Sequence, residues 1–398
     1  MILLISLGGL WGLSWLWTRA LARGLTLTRE MRFGWAQVGD RIEERFTLAN
    51  SSWLPALWIE IIDHSTLPNY HASQATGVEG QAEHRWSVWG VCARRGTFTL
   101  GPTTVVSGDP FGIYTLSLDY PTASTMIVMP PIVPLADIQI APGRSIGEGR
   151  RRVETWDHTV TASSIRDYVP GDSLQSIHWR STAHRDELSV RLCDSTPTSA
   201  WWIFLDLEAR VQVGRDQEST MEHGIILAAS LADQGLRLGR AVGLAASGAN
   251  SIWIPPQSGL QHRWPILREL ACVSPGHLSL QNLLERFQSA LRQRTSLVII
   301  TPAADGQWIA SLTAYRRRGI VPTVLLLDPI SFGGTTVARN TLALLAELEI
   351  AHQLIPRELL DRPEAKPGRE GYWEWRMSPL GKAVPIHAPR DSAWKPLP

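Results

Sequence analysis

Ser164 to Asp194 reads S-I-R-D-Y-V-P-G-D-S-L-Q-S-I-H-W-R-S-T-A-H-R-D-E-L-S-V-R-L-C-D, and this stretch organises the chain. Pro170 presets φ for the first position of a tight turn, and Gly171 supplies the positive φ that a type II turn requires next. Asp172 is then placed as an N-cap, with Gln175 three residues on completing a capping-box-like pair. The spacing predicts a short helix from about Ser173 to Trp179, with Leu174 and Ile177 on one face. Beyond it, Leu188, Val190 and Leu192 alternate with Ser189 and Arg191, a strand period. Arg166, Asp172, His178, Arg180 and Arg191 are the candidates for a hydrogen-bonded network threaded through the segment.

The run R-D-Y-V-P-G-D-(x5)-H-W-R-(x2)-A resembles the signature of the bacterial family called domain of unknown function fifty-eight. The match falls on Arg166, Tyr168, Pro170, Gly171, Asp172, Ile177, His178, Trp179, Arg180 and Ala183. Ser176 and His184 depart from it, standing where the family carries arginines, which weakens any anion-binding role. The resemblance implies a membrane segment, a β-sandwich, this signature and a von Willebrand factor type A-like domain. It also implies a MoxR-type AAA+ ATPase as partner.

A chain of 398 residues accommodates two or three domains. Its hydrophobic share of 44% and charged share of 19% describe a folded protein rather than a disordered one. A formal net charge of +1 gives no electrostatic case for nucleic acid. Cys92, Cys193 and Cys272 are widely spaced and odd in number, which argues against a disulfide framework and for a reducing compartment.

In chain order, residues 1–24 open with an uncharged run to Trp17, followed by Arg19, Arg23, Arg29 and Arg32. They are expected to form a single-pass membrane anchor, short for a span, with the bulk of the chain cytoplasmic by the positive-inside rule. A cleaved signal peptide ending near Ala20-Leu21-Ala22 and a buried core helix are the alternatives. Residues 25–137 carry short alternating runs at Gly24–Arg32, Arg41–Ala49, Ala56–Asp63, Glu83–Cys92, Gly96–Leu100 and Thr125–Met129. Turn residues separate them, a texture that predicts an immunoglobulin-like β-sandwich. Residues 138–163 read as a solvated basic linker, and 164–194 are the signature segment.

Residues 195–356 alternate apolar strands with helical periods, so a mostly parallel sheet covered on both faces is expected. The order resembles a von Willebrand A-like (Rossmann-type) α/β domain. The chain as a whole is thus expected to be an α+β multidomain protein, with residues 357–398 as a tail. That tail carries one apolar island, Gly371–Met377; it should pack back on the body, with the last ten residues loose.

Metal-binding members of the A-type fold end their first strand in Asp-x-Ser-x-Ser, whose oxygens suit Mg²⁺. Here the sequence reads Asp206-Leu207-Glu208-Ala209-Arg210. Asp206, Glu208 and Asp305 are the weak metal candidates, and Arg210 is expected to pair with Asp206 or Glu208. No cofactor is expected, and no phosphate loop, zinc-protease or nucleophile-elbow motif occurs. The reading is a non-catalytic, membrane-anchored interaction or scaffold protein that works with the ATPase in assembling or maturing other proteins. The alternative is a metal-dependent extracytoplasmic adhesin or hydrolase.

The turn reading is directly testable. Asp172→Ala should cost about 1 kcal/mol through the lost cap. Gly171→Val should cost more, because a β-branched residue is strained at positive φ. Chemical denaturation of both variants checks this, and midpoints equal to wild type would discard the turn and cap.

Overall fold

The computed structural model describes residues 1–31, 34–133, 135, 138–141, 162–167, 182, 187–193, 200–291, 295–360, 374–377, 383–387 and 395–396. Helix α1 (Ile2–Gly24) runs straight into strand β1 (Leu25–Met31). Strands β2 (Trp35–Gln37), β3 (Arg41–Asn50), β4 (Ala56–Asp63), β5 (Gln74–Val78) and β6 (Ala82–Val91) follow. Next come β7 (Gly96–Leu100), β8 (Thr103–Gly108), β9 (Thr115–Tyr120) and β10 (Ser124–Met129). These form antiparallel sheets in the orders β1-β3-β6 and β5-β4-β8-β9, with a third, β2-β10-β7, beside them. β1 and β3 alternate strictly, so Leu25, Leu27, Phe46 and Leu48 share one buried face.

That alternation also sends Arg29 and Glu44 inward. The Arg29 guanidinium donates to Glu44 Oε2 at 2.7 Å, to Asp63 Oδ1 on β4 at 2.6 Å and to Thr103 Oγ1 on β8 at 2.8 Å. The Tyr70 hydroxyl donates to Glu44 as well. Arg29 therefore ties strands of two sheets together, and does not belong to the basic flank of α1 as expected. Burial pushes the Glu44 carboxyl above its ordinary range, although Arg29 and Tyr70 pull the other way.

Helix α1 corrects the anchor expectation in part. No helix among the described residues is long and apolar enough to cross a membrane. Ser14, Leu21 and Gly24 are buried against the sandwich, while residues 1–13 are exposed on every side.

After β10 the chain does not become a solvated linker at once. Val133 and Ile138 are buried in the core of the α/β domain. The Val133 amide donates to Ser230, and Ala141 bonds Thr323 and Ser296. β11 (Ala162–Asp167) and β12 (Ser189–Cys193) then pair antiparallel, which places Arg166 opposite Val190. Of the signature, the turn and helix with Tyr168, Pro170, Gly171, Asp172, Ile177, His178, Trp179, Arg180 and Ala183 lie outside the described residues.

The α/β domain contains β13 (Trp201–Leu205), α2 (Thr220–Arg237), β14 (Val242–Ser247), β15 (Ser251–Gln257), α3 (Arg263–Cys272) and α4 (Leu280–Phe287). β16 (Ser296–Thr301), α5 (Ile309–Arg317), β17 (Val321–Leu327), α6 (Arg339–Glu347) and β18 (Ala351–Ile355) complete it. The six-stranded sheet has the order β15-β14-β13-β16-β17-β18, parallel except for the antiparallel edge strand β15. β13, β14 and β16 are buried at every position, as central strands covered on both faces must be. In the tail, β19 (Glu374–Met377) pairs antiparallel with β20 (Ala383–His387). Of the last ten residues, expected to be loose, the two described ones form β21 (Lys395–Pro396) and pair with Met31 and Glu30 of β1.

One side chain couples the two large domains. Arg95, the residue before β7, donates through Nε and Nη2 to both Glu222 oxygens at 2.9 Å. Its Nη1 reaches the carbonyls of Leu270, Ala271 and Val273 at 2.9–3.0 Å, at the end of α3. Trp35 packs edge-on against Trp264 at 4.7 Å between ring centroids. The Arg95 side chain is 8% exposed and Glu222 14%. Removing one partner of such a buried pair costs about 3 kcal/mol or more. Arg95→Ala should therefore separate one unfolding transition into two in calorimetry. Arg95→Lys should recover little, because an ammonium cannot fork onto a carboxylate and three carbonyls together. A single transition at the wild-type midpoint in both variants would contradict the clamp.

Candidate functional site

In a sheet of this order, the crevice that binds ligands opens at the carboxyl ends of the strands on either side of the point where strand order reverses. Here that point lies between β13 and β16, and Asp206 and Thr301 stand at those two ends. They meet: the Thr301 hydroxyl donates to Asp206 Oδ2 at 2.7 Å. The other carboxylate oxygen accepts from the Glu208 amide at 3.1 Å and lies 3.5 Å from Ser247 Oγ. Ser247 ends β14, the neighbouring strand, and also accepts from the Leu207 amide at 2.9 Å. Gln212 donates to the Asp206 carbonyl and accepts from Thr220 at the start of α2.

The loop above is closed by backbone. Gly276 donates to the Leu207 carbonyl and accepts from the Ala209 amide, both within 2.9 Å. A Cβ on Gly276 would lie 2.3 Å from the Gly248 carbonyl oxygen, so no larger residue fits this approach. Asp206 is left 2% exposed. Burial pushes its carboxyl up to about 6; the Thr301 and Glu208 donors oppose this, and the nearby Glu208 charge adds to it.

The remaining sequence-predicted residues are not brought together here. Glu208 contributes its backbone, Asp305 is exposed beyond β16, and Arg210 is exposed. Among the described residues Arg210 pairs with neither Asp206 nor Glu208, and the hydroxyls of Thr301 and Ser247 face the Asp206 carboxylate instead. No group of three or more His, Cys, Asp or Glu arranged to hold a metal occurs among the described residues. Ser247, Gln212 and Gly276 escaped the sequence reading. Ser247 alone had a signal, as the last residue of a strand adjacent to β13.

Comparison with known proteins identifies the central region. Residues 164–332, from within β11 into the loop after β17, match the family described as "Protein of unknown function DUF58". "Uncharacterized protein YeaD" of Bacillus subtilis is 26% identical over 145 residues, covering 36% of this chain and 34% of its own length. "Uncharacterized protein Rv1480" of Mycobacterium tuberculosis is 27% identical over 173 residues, covering 41% of this chain and 54% of itself. The chain thus spans about a third to a half of the curated relatives it matches. Among solved structures, PapD-like domain 7 of human CEP192 aligns at TM-score 0.23 and 9% identity, over 27% of this chain and 88% of that one, a likeness too low to carry an argument.

A carboxyl held at about 6 leaves a proton-linked signature. Between the ordinary aspartate value and about 6, the folded state holds a proton that the unfolded state has lost. Stability therefore falls as pH rises through that window, by about 3 kcal/mol in all. Asp206→Asn should remove this part of the slope when denaturation midpoints are followed from pH 4 to 7. Parallel wild-type and variant curves would show that Asp206 titrates normally.

Proposed function

We propose that this DUF58-bearing chain is a non-catalytic interaction protein: a membrane-associated platform that presents an α/β domain to a protein partner. The observation that carries the reading is the self-satisfied crevice. Thr301, Ser247 and the Glu208 amide occupy the Asp206 carboxylate, and the Gly276 backbone covers it. The position where such sheets ordinarily take a small ligand is spent on internal bonding, which leaves outer surfaces as the means of recognition.

The finer fold assignments belong to the same proposal. The α/β domain is read as von Willebrand A-like, supported by the strand order with a single antiparallel edge strand. The N-terminal sheets are read as an immunoglobulin-like sandwich, supported by facing antiparallel sheets around one apolar core. The partner is a MoxR-type AAA+ ATPase, implied by the family resemblance of the signature. The membrane reading rests on α1, apolar on every side over its first half; a helix of that kind is stable only where all its faces are covered. Arg19 and Arg23 follow that half, and the helix contains no acidic residue, which favours the anionic cytoplasmic leaflet.

Affinity capture of the tagged full chain from detergent-solubilised membranes tests the partner. The MoxR-type ATPase should co-elute in at least one nucleotide state and be released in another. Absence of the ATPase from every eluate, with ATP, ADP or a non-hydrolysable analogue, would reject the assignment.

A further inference from the structure

Exposed apolar side chains gather where α1 meets the sandwich. Trp11 packs against Tyr114, with ring centroids 6.3 Å apart, and α1 contacts β8 and β9. The loop between these strands is held by Asp109, whose carboxylate accepts from the amides of Phe111 at 2.8 Å and Tyr114 at 2.5 Å. The Gly112 amide donates to the Asp109 carbonyl, and the positive φ of 71° at Gly112 closes the turn. This self-bonded loop points Phe111 and Ile113 outward, 55% and 43% exposed. Beside it, a register shift between Ala56 and Ile59 breaks the alternation of β4. Leu57 and Trp58 consequently both face out, and the Trp58 ring lies so close to Gly108 that a Cβ there would sit 2.8 Å from it. A bulge that exposes two adjacent apolar residues is a placed feature of a strand, not a defect.

The height of this cluster along α1 is fixed. Ile2 to Leu10 project beyond it, a length of about 14 Å at 1.5 Å per residue. That is roughly half of the ~30 Å hydrocarbon thickness of a bilayer. Burying those residues in one leaflet brings the Asp109 loop to the headgroup boundary. Arg19, stacked over Trp15 at 5.1 Å, follows about two turns further down the helix, where its long side chain can reach back toward an anionic headgroup layer. Backbone groups near lipid must be satisfied internally, and in this loop Asp109 bonds them.

We infer that Leu57, Trp58, Phe111 and Ile113 form a collar that seats the sandwich itself on the surface of an anionic phospholipid bilayer, around the entry point of α1. The inference rests on the membrane reading of α1 and adds a second contact, by the folded domain. It fixes the height of the sandwich, and through the Arg95 clamp that of the α/β domain, above the lipid.

The test uses the full chain carrying a photo-crosslinking benzophenone amino acid in place of Leu7, Phe111 or, as a control on α6, Leu344. Each protein is irradiated with vesicles of phosphatidylethanolamine and phosphatidylglycerol, and adducts are read by mass spectrometry. Lipid adducts at Leu7 and Phe111 but not at Leu344 are expected. Adducts at Leu7 alone would overturn the collar and leave the helix reading standing, whereas none at either position would overturn both. A second variant, Phe111→Asp with Ile113→Asp, should lower vesicle partitioning about tenfold with an unchanged melting midpoint, since both side chains are exposed and binding scales with inserted apolar area. Partitioning equal to wild type would also reject the collar.

Discussion

The Arg95 guanidinium is the constraint on which the arrangement of this protein depends. A guanidinium offers five N–H donors in a rigid plane. Here one edge forks onto Glu222 and the remaining nitrogen fans over three carbonyls at the end of α3. Those carbonyls belong to the group that every helix end leaves without an intrahelical partner. The sandwich thus completes the α/β domain's own hydrogen bonding, and neither domain is satisfied there without the other. The strap through Val133, Ile138 and Ala141 reinforces the joint by lying across the second core. Movement of the α/β domain relative to the sandwich would have to break a charged, nearly buried fork.

Polar groups in the sandwich core serve a different purpose. Two carboxylates, Glu44 and Asp63, share Arg29, and burial raises the proton affinity of Glu44. Replacing such a cluster with apolar residues is often neutral or stabilising in other proteins, so it is weak evidence for stability. What it does provide is register. Arg29 on β1 can reach Glu44 on β3, Asp63 on β4 and Thr103 on β8 only when the two sheets face each other in one alignment.

Much of the architecture was legible because periodicity reports burial. β4 and β7 fall on the residues where the alternation places them, and the switch from period two to alternating strands and helices marks the second domain. β2, β5, β8 and β9 were not separable from loops: β2 has only three residues, and the others carry Thr, Ser or Gly among their apolar positions. Arg29 misled for a physical reason. An arginine after an apolar helix looks like a topology signal, and only the pairing of β1 with β3 shows that it faces a buried acid. Arg95 and Gly276 were invisible on similar grounds, since their partners lie far away in sequence.

The candidate crevice shows the same division between pattern and pairing. Asp206 could be placed at a strand end from the sequence, but whether it was open or closed depended on what the next two strands carried at theirs. Thr301 on β16 and Ser247 on β14 flank it, so three neighbouring strand ends converge on one carboxylate. A hydroxyl at each position can complete a hard-cation shell or satisfy the carboxylate directly, and the same atoms cannot do both at full strength. With Gly276 packed against Gly248 above them, these hydroxyls are turned inward. Opening the crevice would require the Ser274–Gly276 segment to lift and expose a carboxyl whose proton affinity is already raised. That cost falls on any small ligand or cation, but not on a partner that grips the outer faces of the domain.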